Sequence, residues 1–439
     1  MDAEPPDAPV AISRKFWVLI GYAVFLGVFG GAFGLLFMWL LSLGQSWYSY
    51  SSPGWMGGQW WWVAVTAGAG LVIGVLRPLT RLPYKTPGLI ADLQKGYVEP
   101  RLVPGILLVS AASLMGGASL GPEKALGSAG GGLGQWISAR GRLDDEGRSV
   151  STLSGMAGSY GGLFSSPMIV ALMIIEVARP GGARLTKVLV TTVLSASISF
   201  GIYFAIAGTV LLDLYKVPAY EYEDWYLLAG VGMGLLAAVV STLLGVTVLG
   251  SVTLFDKLRI PDLVKSIIGG IIFGIIGVML PLTMMSGSDQ LGVVIEDAST
   301  LGLGLVIALV VAKMIAMGAA IGSGFVGGPI FPSLFIGGTA GVALHLAIPS
   351  LPLGLTFACM LASVVGGFVS APFTMVLFAA FTTQMTALNT APVLIAVITS
   401  FVTVEAVKWL MARRRGAGPS APTPKAEPLA GAGERPDTR

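Results

Sequence analysis

Residues 117–134, GASLGPEKALGSAGGGLG, place two charged side chains in one of the least charged regions of the chain. Glu123 and Lys124 are adjacent, and neither the sixteen residues before them nor the fifteen that separate them from Arg140 include Asp, Glu, Lys or Arg. A Gly-Pro pair precedes the two charges and a glycine-rich run follows them. Glycine permits a tight turn and proline fits the first helical turn, so this stretch predicts a helix that begins near Glu123.

A second stretch of the same pattern lies 207 residues further along the chain. GFVGGPIFPSLFIGGTAG, residues 324–341, aligns with residues 117–134 without a gap and shares five glycines and one proline with them. GGLFSSP (161–167) aligns with GGFVSAP (366–372) at an offset of 205. Two ordered matches at nearly one offset predict an internal repeat. The alternative is that small residues at these positions only allow helices to pack closely.

The composition of the chain indicates a membrane protein. Of its 439 residues, 54% are hydrophobic and 11% are charged, with a mean hydropathy of +0.81, whereas an ordinary soluble domain has about 25% charged residues. The net charge of +3 is too small to indicate a nucleic-acid binder. Cys359 is the one cysteine, which excludes a disulfide framework, and His345, the one histidine, is assigned to packing or an interface. We therefore expect no metal site and no cofactor.

Eight stretches are apolar over about the 20 residues that a membrane-spanning helix needs. They are residues 16–44, 60–77, 101–119, 185–210, 225–250, 262–283, 301–320 and 389–411. Shorter apolar stretches, broken by Gly and Pro, lie at 123–138, 150–163, 166–178, 330–348, 353–366 and 372–386. Broken helices at membrane depth are tolerated only where they are buried in protein or line a cavity. The pattern therefore predicts an all-α polytopic channel or transporter with half-spanning helices.

Basic residues concentrate in one set of loops. Residues 45–59 and 284–300 contain no Lys or Arg, and the linker 213–224 has one Lys among its five charged residues. By the positive-inside rule, the basic loops and both termini are cytoplasmic and the linker is external. The half at about 225–411 then enters from the face opposite to that of the half at about 14–210. Such an inverted repeat is a common transporter plan, in which discontinuous helices point their ends at a site near the midplane.

The sequence predicts three parts along the chain. A short N-terminal segment, residues 1–13, precedes a transmembrane domain at 14–411. Residues 412–439 are rich in Pro, Ala and Gly and have no apolar period. We expect this last part to be a disordered cytoplasmic tail, because such a composition cannot bury enough apolar surface to fold.

Two inverted Gly-Pro helix starts predict an anion site. The first N–H groups of a helix have no internal partner and carry partial positive charge, so two such ends facing one place attract an anion. A carboxylate at membrane depth costs about 2.5–3.5 kcal/mol on insertion scales, and a helix N-terminus returns only about 0.3–2 kcal/mol. Glu123 therefore needs water, a cation or a proton, and each is a functional condition. The alternative is a helix-start Glu123 paired with Lys124 at a wet mouth.

These stretches resemble the CLC family of chloride channels and chloride/proton antiporters. GPEKA (121–125) resembles the family's Gly-Arg-Glu-Gly-Pro motif at Gly121 and Glu123. GPIFP (328–332) resembles its Gly-x-Phe-x-Pro motif, and MIIEVARP (173–180) resembles its Ile-Ile-Glu-Glu-x-Arg-Pro stretch. The resemblance implies an inverted-repeat CLC-type fold and a homodimer with one pore in each subunit. It also implies that Glu123 is the gating glutamate, whose carboxylate occupies an anion site when ionised and leaves when protonated or displaced.

The chain departs from the family pattern at the positions that bind the anion. The family's Gly-Ser-Gly-Ile-Pro motif aligns with PYKTP (83–87), which places Tyr84 at the anion-binding serine and offers the Thr86 hydroxyl beside it. Pro329 stands where an amide should bind the central anion, and proline has no N–H. We expect Ile330 and Phe331 to donate instead. These departures make the chain most similar to a divergent bacterial branch of the family that is known only for ion transport.

Further departures concern proton coupling and charge. The pore tyrosine that the family carries after its last helix has no counterpart. The internal proton-transfer glutamate aligns with Val177, one residue after Glu176, and one helical step turns a side chain by about 100°. Glu176 is therefore only a candidate for a proton path. Lys124 replaces a family glycine, and we expect it either to attract anions at the outer mouth or to pair with Glu123.

We expect the chain to transport small inorganic anions, chloride first, through a pore gated by Glu123. The anion-binding candidates are Gly121, Lys124, Ile330, Phe331, Tyr84 and Thr86. Expected partners are the anion, protons if transport is coupled, the lipid of the cell (inner) membrane and a second copy of the chain, with no nucleic acid. A fluoride or other anion/proton antiporter of the same fold is the nearest alternative.

Two other classes are less compatible with the sequence. A cation or small-solute carrier on the same inverted plan needs acidic side chains or carbonyls at the helix breaks, which Gly-Pro starts do not supply. A membrane-embedded enzyme needs a charged cluster, and the charged residues of the apolar regions are scattered. They are Glu123, Lys124, Glu176, Lys313, Glu405 and Lys408. Lys313 is interpreted as a snorkelling or helix-bridging residue, with a role as pore ligand as the alternative.

Overall fold

The computed structural model describes residues 13–46, 58–208 and 215–414, which form sixteen α-helices. The first half contains α1 (Arg14–Gln45), α2 (Trp61–Leu79), α3 (Leu89–Lys95), α4 (Val103–Met115), α5 (Glu123–Arg140), α6 (Asp145–Gly161), α7 (Pro167–Ala178) and α8 (Ala183–Ala207). The second half contains α9 (Tyr226–Lys257), α10 (Asp262–Met279), α11 (Ser288–Glu296), α12 (Ala298–Gly322), α13 (Ile330–Ala347), α14 (Leu353–Val369), α15 (Pro372–Thr382) and α16 (Thr390–Arg414). The predicted N-terminal segment and tail fall almost entirely outside the described residues.

The two halves repeat the same order of helices and the same packing. Both ends of α13 lie 207 positions after the ends of α5, the offset that the quoted stretches show. Helix α5 packs on α6 as α13 packs on α14, and α1 packs on α8 as α9 packs on α16. The internal repeat predicted from the sequence is therefore a repeat of structure.

The halves meet through equivalent parts. Helix α2 packs against its counterpart α10, and α7 packs against α15. Between them, Gly121 and Gly328 form an antiparallel bridge. The Gly121 amide donates to the Gly328 carbonyl at 2.8 Å, and the Gly328 amide donates to the Gly121 carbonyl at 2.6 Å. Equivalent residues that pair in antiparallel fashion run in opposite directions, as an inverted repeat requires.

Eight described helices are long and apolar enough to cross a membrane. Seven of them, α1, α2, α8, α9, α10, α12 and α16, coincide with predicted spans, and the eighth, α13, was predicted as a shorter stretch. The predicted span at 101–119 is wrong. Helix α4 has 13 residues, about 20 Å, and Gly117, at φ +79°, ends it in a left-handed turn. The chain is a multi-pass membrane protein with half-spanning helices.

Glycines hold the helix beginning at Glu123 directly against its neighbour. A Cβ added at Gly130 of α5 would overlap the carbonyl oxygen of Gly155 in α6, and one at Gly134 would overlap the carbonyl oxygen of Ser151. The small-residue packing considered as an alternative to the repeat thus exists together with it. Because α5 carries Glu123 at its first position, this contact also positions the charged side chain.

We predict that Gly130→Ala lowers the free energy of unfolding by about 1–3 kcal/mol, because the added methyl group must push α5 away from the α6 backbone. Thermal unfolding of the detergent-solubilised protein, followed by tryptophan fluorescence, measures the change. Gly21→Ala in α1 is the matched control, since no atom lies within 4 Å of its added Cβ. Equal unfolding temperatures for the two variants would contradict the predicted role of Gly130.

Candidate functional site

The carboxylate of Glu123 caps a helix of the other half of the chain. Glu123 is the first residue of α5, and its side chain is fully buried, with 0% exposure. Its Oε1 atom accepts a hydrogen bond of 2.8 Å from the backbone amide of Phe331, the second residue of α13. The amide of Ile330 faces the same carboxylate. One helix start thus supplies the anion and the opposite helix start supplies the N–H groups.

The second carboxylate oxygen of Glu123 sits between the two bridging glycines. A Cβ added at Gly121 or at Gly328 would overlap Oε2. This oxygen is buried and has no hydrogen-bond partner among the described residues. A buried charged oxygen without a partner is costly. The position therefore favours a carboxylate that can gain a proton or move, over one locked in place.

Three aromatic rings line the same place. The Tyr160 hydroxyl, from α6, donates to the carbonyl oxygen of Glu123 at 3.0 Å. The Tyr160 ring contacts Phe164 edge-on, and Phe164 stacks on Phe331 with 5.7 Å between ring centroids. Gly127 leaves room for the hydroxyl, because a Cβ there would overlap it. Sequence reasoning missed Tyr160, whose only signal was a large aromatic within the small residues GMAGSYGG.

Lys124 does not pair with Glu123. Its Nζ atom lies 2.5 Å from Oδ2 of Asp92 in α3, and the two side chains are 5% and 8% exposed. Successive side chains on a helix point about 100° apart, so Glu123 turns toward α13 and Lys124 toward α3. The alternative of a Glu123–Lys124 pair at a wet mouth is therefore wrong. Sequence reasoning also missed Asp92, which carried no distinguishing motif.

A cavity of about 280 Å³ lies beside Lys124, between the two halves. Tyr84, Lys85 and Thr86 line one wall, and residues 321–329 supply part of the other. Arg77 and Lys85 also line this cavity, and they belong to one of the basic loops that the positive-inside rule predicts to be cytoplasmic. Lys124 thus lines the cavity on this side, and its role at an outer mouth stays a prediction.

Arg77 lines this cavity and joins the two halves of the chain. Its guanidinium donates to the carbonyl of Gly324 at 2.6 and 3.0 Å and to the carbonyls of Pro83 and Tyr84 at 2.6 and 3.1 Å. Sequence reasoning did not identify Arg77 as a site residue, because its three carbonyl partners do not show in the sequence. The Tyr84 hydroxyl donates to the carbonyl of Gly322 at 2.9 Å.

The predicted site residues thus fall into two groups and one outlier. Gly121, Ile330 and Phe331 gather around the Glu123 carboxylate, and Tyr84, Thr86 and Lys124 line the cavity. The amide of Gly121 is already bonded to Gly328, as described above.

The outlier, Glu176, caps a different helix. Its carboxylate accepts hydrogen bonds from the backbone amides of Phe373 and Thr374, at 2.9 and 2.7 Å, and from the Thr374 hydroxyl. These two residues begin α15, so Glu176 on α7 caps a helix of the second half. This arrangement repeats the relation of Glu123 on α5 to α13.

Two further residues have structural roles in this fold. Lys313 is fully buried in α12, and its ammonium donates to the carbonyls of Thr283, Met284 and Met285 at 2.9, 3.2 and 2.8 Å. The helix-bridging interpretation describes it, and the snorkelling interpretation is wrong. His345 Nδ1 lies 2.7 Å from the carbonyl oxygen of Leu351, consistent with the packing role predicted for this histidine.

Relatives of the chain are described as ion-transport proteins. A protein of Salmonella paratyphi A, described provisionally as the ion-transport protein YfeO, is 28% identical over 340 residues, covering 75% of this chain and 78% of the relative. Its counterpart in Salmonella newport is 28% identical over 328 residues, covering 72% and 75%.

Solved structures share the fold of the chain. A slow cyanobacterial Cl⁻/H⁺ antiporter superposes with a TM-score of 0.78 and 19% identity, covering 92% of this chain and 99% of the antiporter. A CLC-type fluoride/proton antiporter superposes with a TM-score of 0.73 and 18% identity, covering 89% and 96%. The family described as "Voltage gated chloride channel" matches residues 84–405 of this chain. With nearly three quarters of its length matched, the chain belongs to the voltage gated chloride channel family, the CLC family.

Proposed function

We propose that the chain carries small inorganic anions, chloride first, across the cytoplasmic (inner) membrane, with Glu123 as the gate. One observation carries this proposal: the Glu123 carboxylate, itself an anion, accepts a hydrogen bond of 2.8 Å from the Phe331 amide at the N-terminus of α13. Helix N-termini bind free anions through the same N–H groups and the same dipole. The ion-transport description of the Salmonella relatives and the antiporter structures of the same fold support it.

The gate works by exchange at the Phe331 amide. While the carboxylate is ionised, it holds the amide and excludes other anions. When it gains a proton or is displaced, the amide becomes available to a permeating anion. Because Oε2 has no hydrogen-bond partner among the described residues, release of the carboxylate means leaving the amides at the start of α13, of which Phe331 donates at 2.8 Å. We place the cavity beside Lys124 at the cytoplasmic end of this path, with both termini on the same side.

Fluoride/proton antiport is the second candidate. Its support is Tyr84, which stands where the family has its anion-binding serine and whose hydroxyl proton is directed at the Gly322 carbonyl. The chain therefore lacks the hydroxyl donor that the family uses for chloride at this position. A solved structure of the same fold is a fluoride/proton antiporter. The ion selectivity of the chain decides between the two candidates.

We also propose that two copies of the chain assemble, as the family resemblance implies. The described surface offers an apolar groove between α7, α8 and α15, with a volume of about 810 Å³. Met168 and Phe373 are exposed beside it. A second copy that covers this groove would remove these large side chains from lipid while leaving each pore within one subunit.

We predict that Glu123→Gln continues to conduct anions but loses the pH dependence of the wild type, because an amide neither ionises nor gains a proton. Reconstituted vesicles loaded with chloride, fluoride or nitrate report the rate through an ion-selective electrode. The wild-type rate should follow the protonated fraction of one carboxyl. At pH values well above the pKa of that carboxyl, the rate should therefore rise about tenfold for each unit by which the pH falls.

Glu405→Gln is the matched control for this measurement. It makes the same change at a carboxylate bonded to Lys408 in α16, away from α13, and should keep the wild-type profile. The gate assignment fails if Glu123→Gln keeps both the rate and the pH profile of the wild type. The transport proposal itself fails if wild-type protein moves none of the three anions under any gradient.

For proton coupling, we predict that Glu176→Gln stops anion-driven proton uptake and leaves anion efflux in place. Removing the charge that caps α15 should also cost about 1 kcal/mol of stability, as the loss of a helix cap does. A pH electrode and an anion electrode in the same vesicle suspension separate the two fluxes. Unchanged proton uptake in a variant of lowered stability would limit Glu176 to helix capping.

A further inference from the structure

We propose that Lys124 and Asp92 form an anion-exchange site at the cytoplasmic end of the path. In the anion-free chain, the Asp92 carboxylate is paired with the ammonium of Lys124. An anion that enters the cavity displaces the Asp92 carboxylate, binds Lys124 and is then passed to the helix start at Glu123. This inference rests on the proposed function and adds a second tethered carboxylate to it.

The ammonium of Lys124 has capacity for another ligand. A lysine ammonium carries three N–H donors, and among the described residues it has one hydrogen-bond partner, Asp92 Oδ2 at 2.5 Å. The side chain is only 5% exposed, so bulk water does not satisfy the other donors. The adjoining cavity of about 280 Å³ has room for an anion together with several waters, at about 30 Å³ for each water.

The other cations that line the cavity, Arg77 and Lys85, are bonded to other groups. The guanidinium of Arg77 is bonded to three backbone carbonyls. The side chain of Lys85 is 72% exposed and pairs with Asp256 at 2.8 Å. Lys124 is therefore the buried cation of this wall whose single partner is a side chain that can move. It is also the residue next to Glu123, so its ligand lies close to the gate.

Asp92 is placed so that its carboxylate can leave the Lys124 ammonium and return to it. It lies on α3, a helix of seven residues between Gly88 and Gly96, and Lys124 is its one side-chain hydrogen-bond partner among the described residues. A rotation of the Asp92 side chain is enough to release the ammonium, without movement of a long helix. A buried ion pair gains its stability only while both partners remain, so an incoming anion must replace the carboxylate as it leaves.

Binding of chloride and fluoride to the purified full chain in detergent, measured by titration calorimetry, tests the proposal. Asp92→Asn keeps the shape of the side chain but removes the competing charge, and we expect it to tighten anion binding by about tenfold. Adding Lys124→Met to Asp92→Asn should abolish this gain. If that double variant does not fold, Asp92→Asn with Lys124→Gln replaces it.

The exposed pair in the same wall supplies the matched control. Asp256→Asn removes the carboxylate bonded to Lys85, and it should change the affinity by less than about twofold because water already screens that pair. Unchanged or weaker binding in Asp92→Asn overturns the exchange site, as does a gain that survives the loss of Lys124. Anion efflux from vesicles of the same preparations distinguishes failure of this inference from failure of the proposed function. If wild-type efflux is present without the Asp92→Asn effect, only this inference fails, and if wild-type efflux is absent, the proposed function fails with it.

Discussion

The bond from the Phe331 amide to the Glu123 carboxylate is the contact on which the site depends. It joins the start of α5 to the start of α13, and it places a negative charge where two inverted helices present their free N–H groups. The bridge between Gly121 and Gly328 makes this possible, since any side chain there would displace Oε2. The repeat and the proposed gate are thus one arrangement, because the Glu123 carboxylate lies where the two halves meet.

The same solution recurs at other buried or half-buried charges. Glu176 caps α15 across the two halves, as Glu123 caps α13. Lys313 and Arg77 do the reverse, because each cation collects backbone carbonyls from loops that would otherwise be left unsatisfied. A chain with half-spanning helices has many such exposed backbone groups, and the bilayer core offers no water to bond them. Glu123, Glu176, Lys313 and Arg77 are thus bound to backbone groups, whereas Lys124 and Asp92 form a buried pair of side chains.

Under the proposed function, the pair of Lys124 and Asp92 gives the anion path a direction. A permeating anion meets a side-chain cation held by a side-chain anion, and then a backbone amide held by a second carboxylate. Under the proposed function, each step exchanges one anion for another, so no buried cation is left without a counter-charge. The rings of Tyr160, Phe164 and Phe331 pack against one another beside the second step. Selectivity would then depend on how closely an anion imitates a carboxylate at both places.

The sequence alone determined the repeat, the class of fold and the candidate gate, because glycine, proline and an isolated carboxylate act through local geometry and desolvation. A Gly-Pro start and a buried Glu123 carry those consequences wherever the chain places them. The partners were decided only by the tertiary structure. Lys124 meets Asp92, 32 residues away, and Glu176 meets α15, 197 residues away, because the rotation of one helix against another selects the contact. That rotation follows from the packing of the whole bundle, which no short stretch of sequence contains.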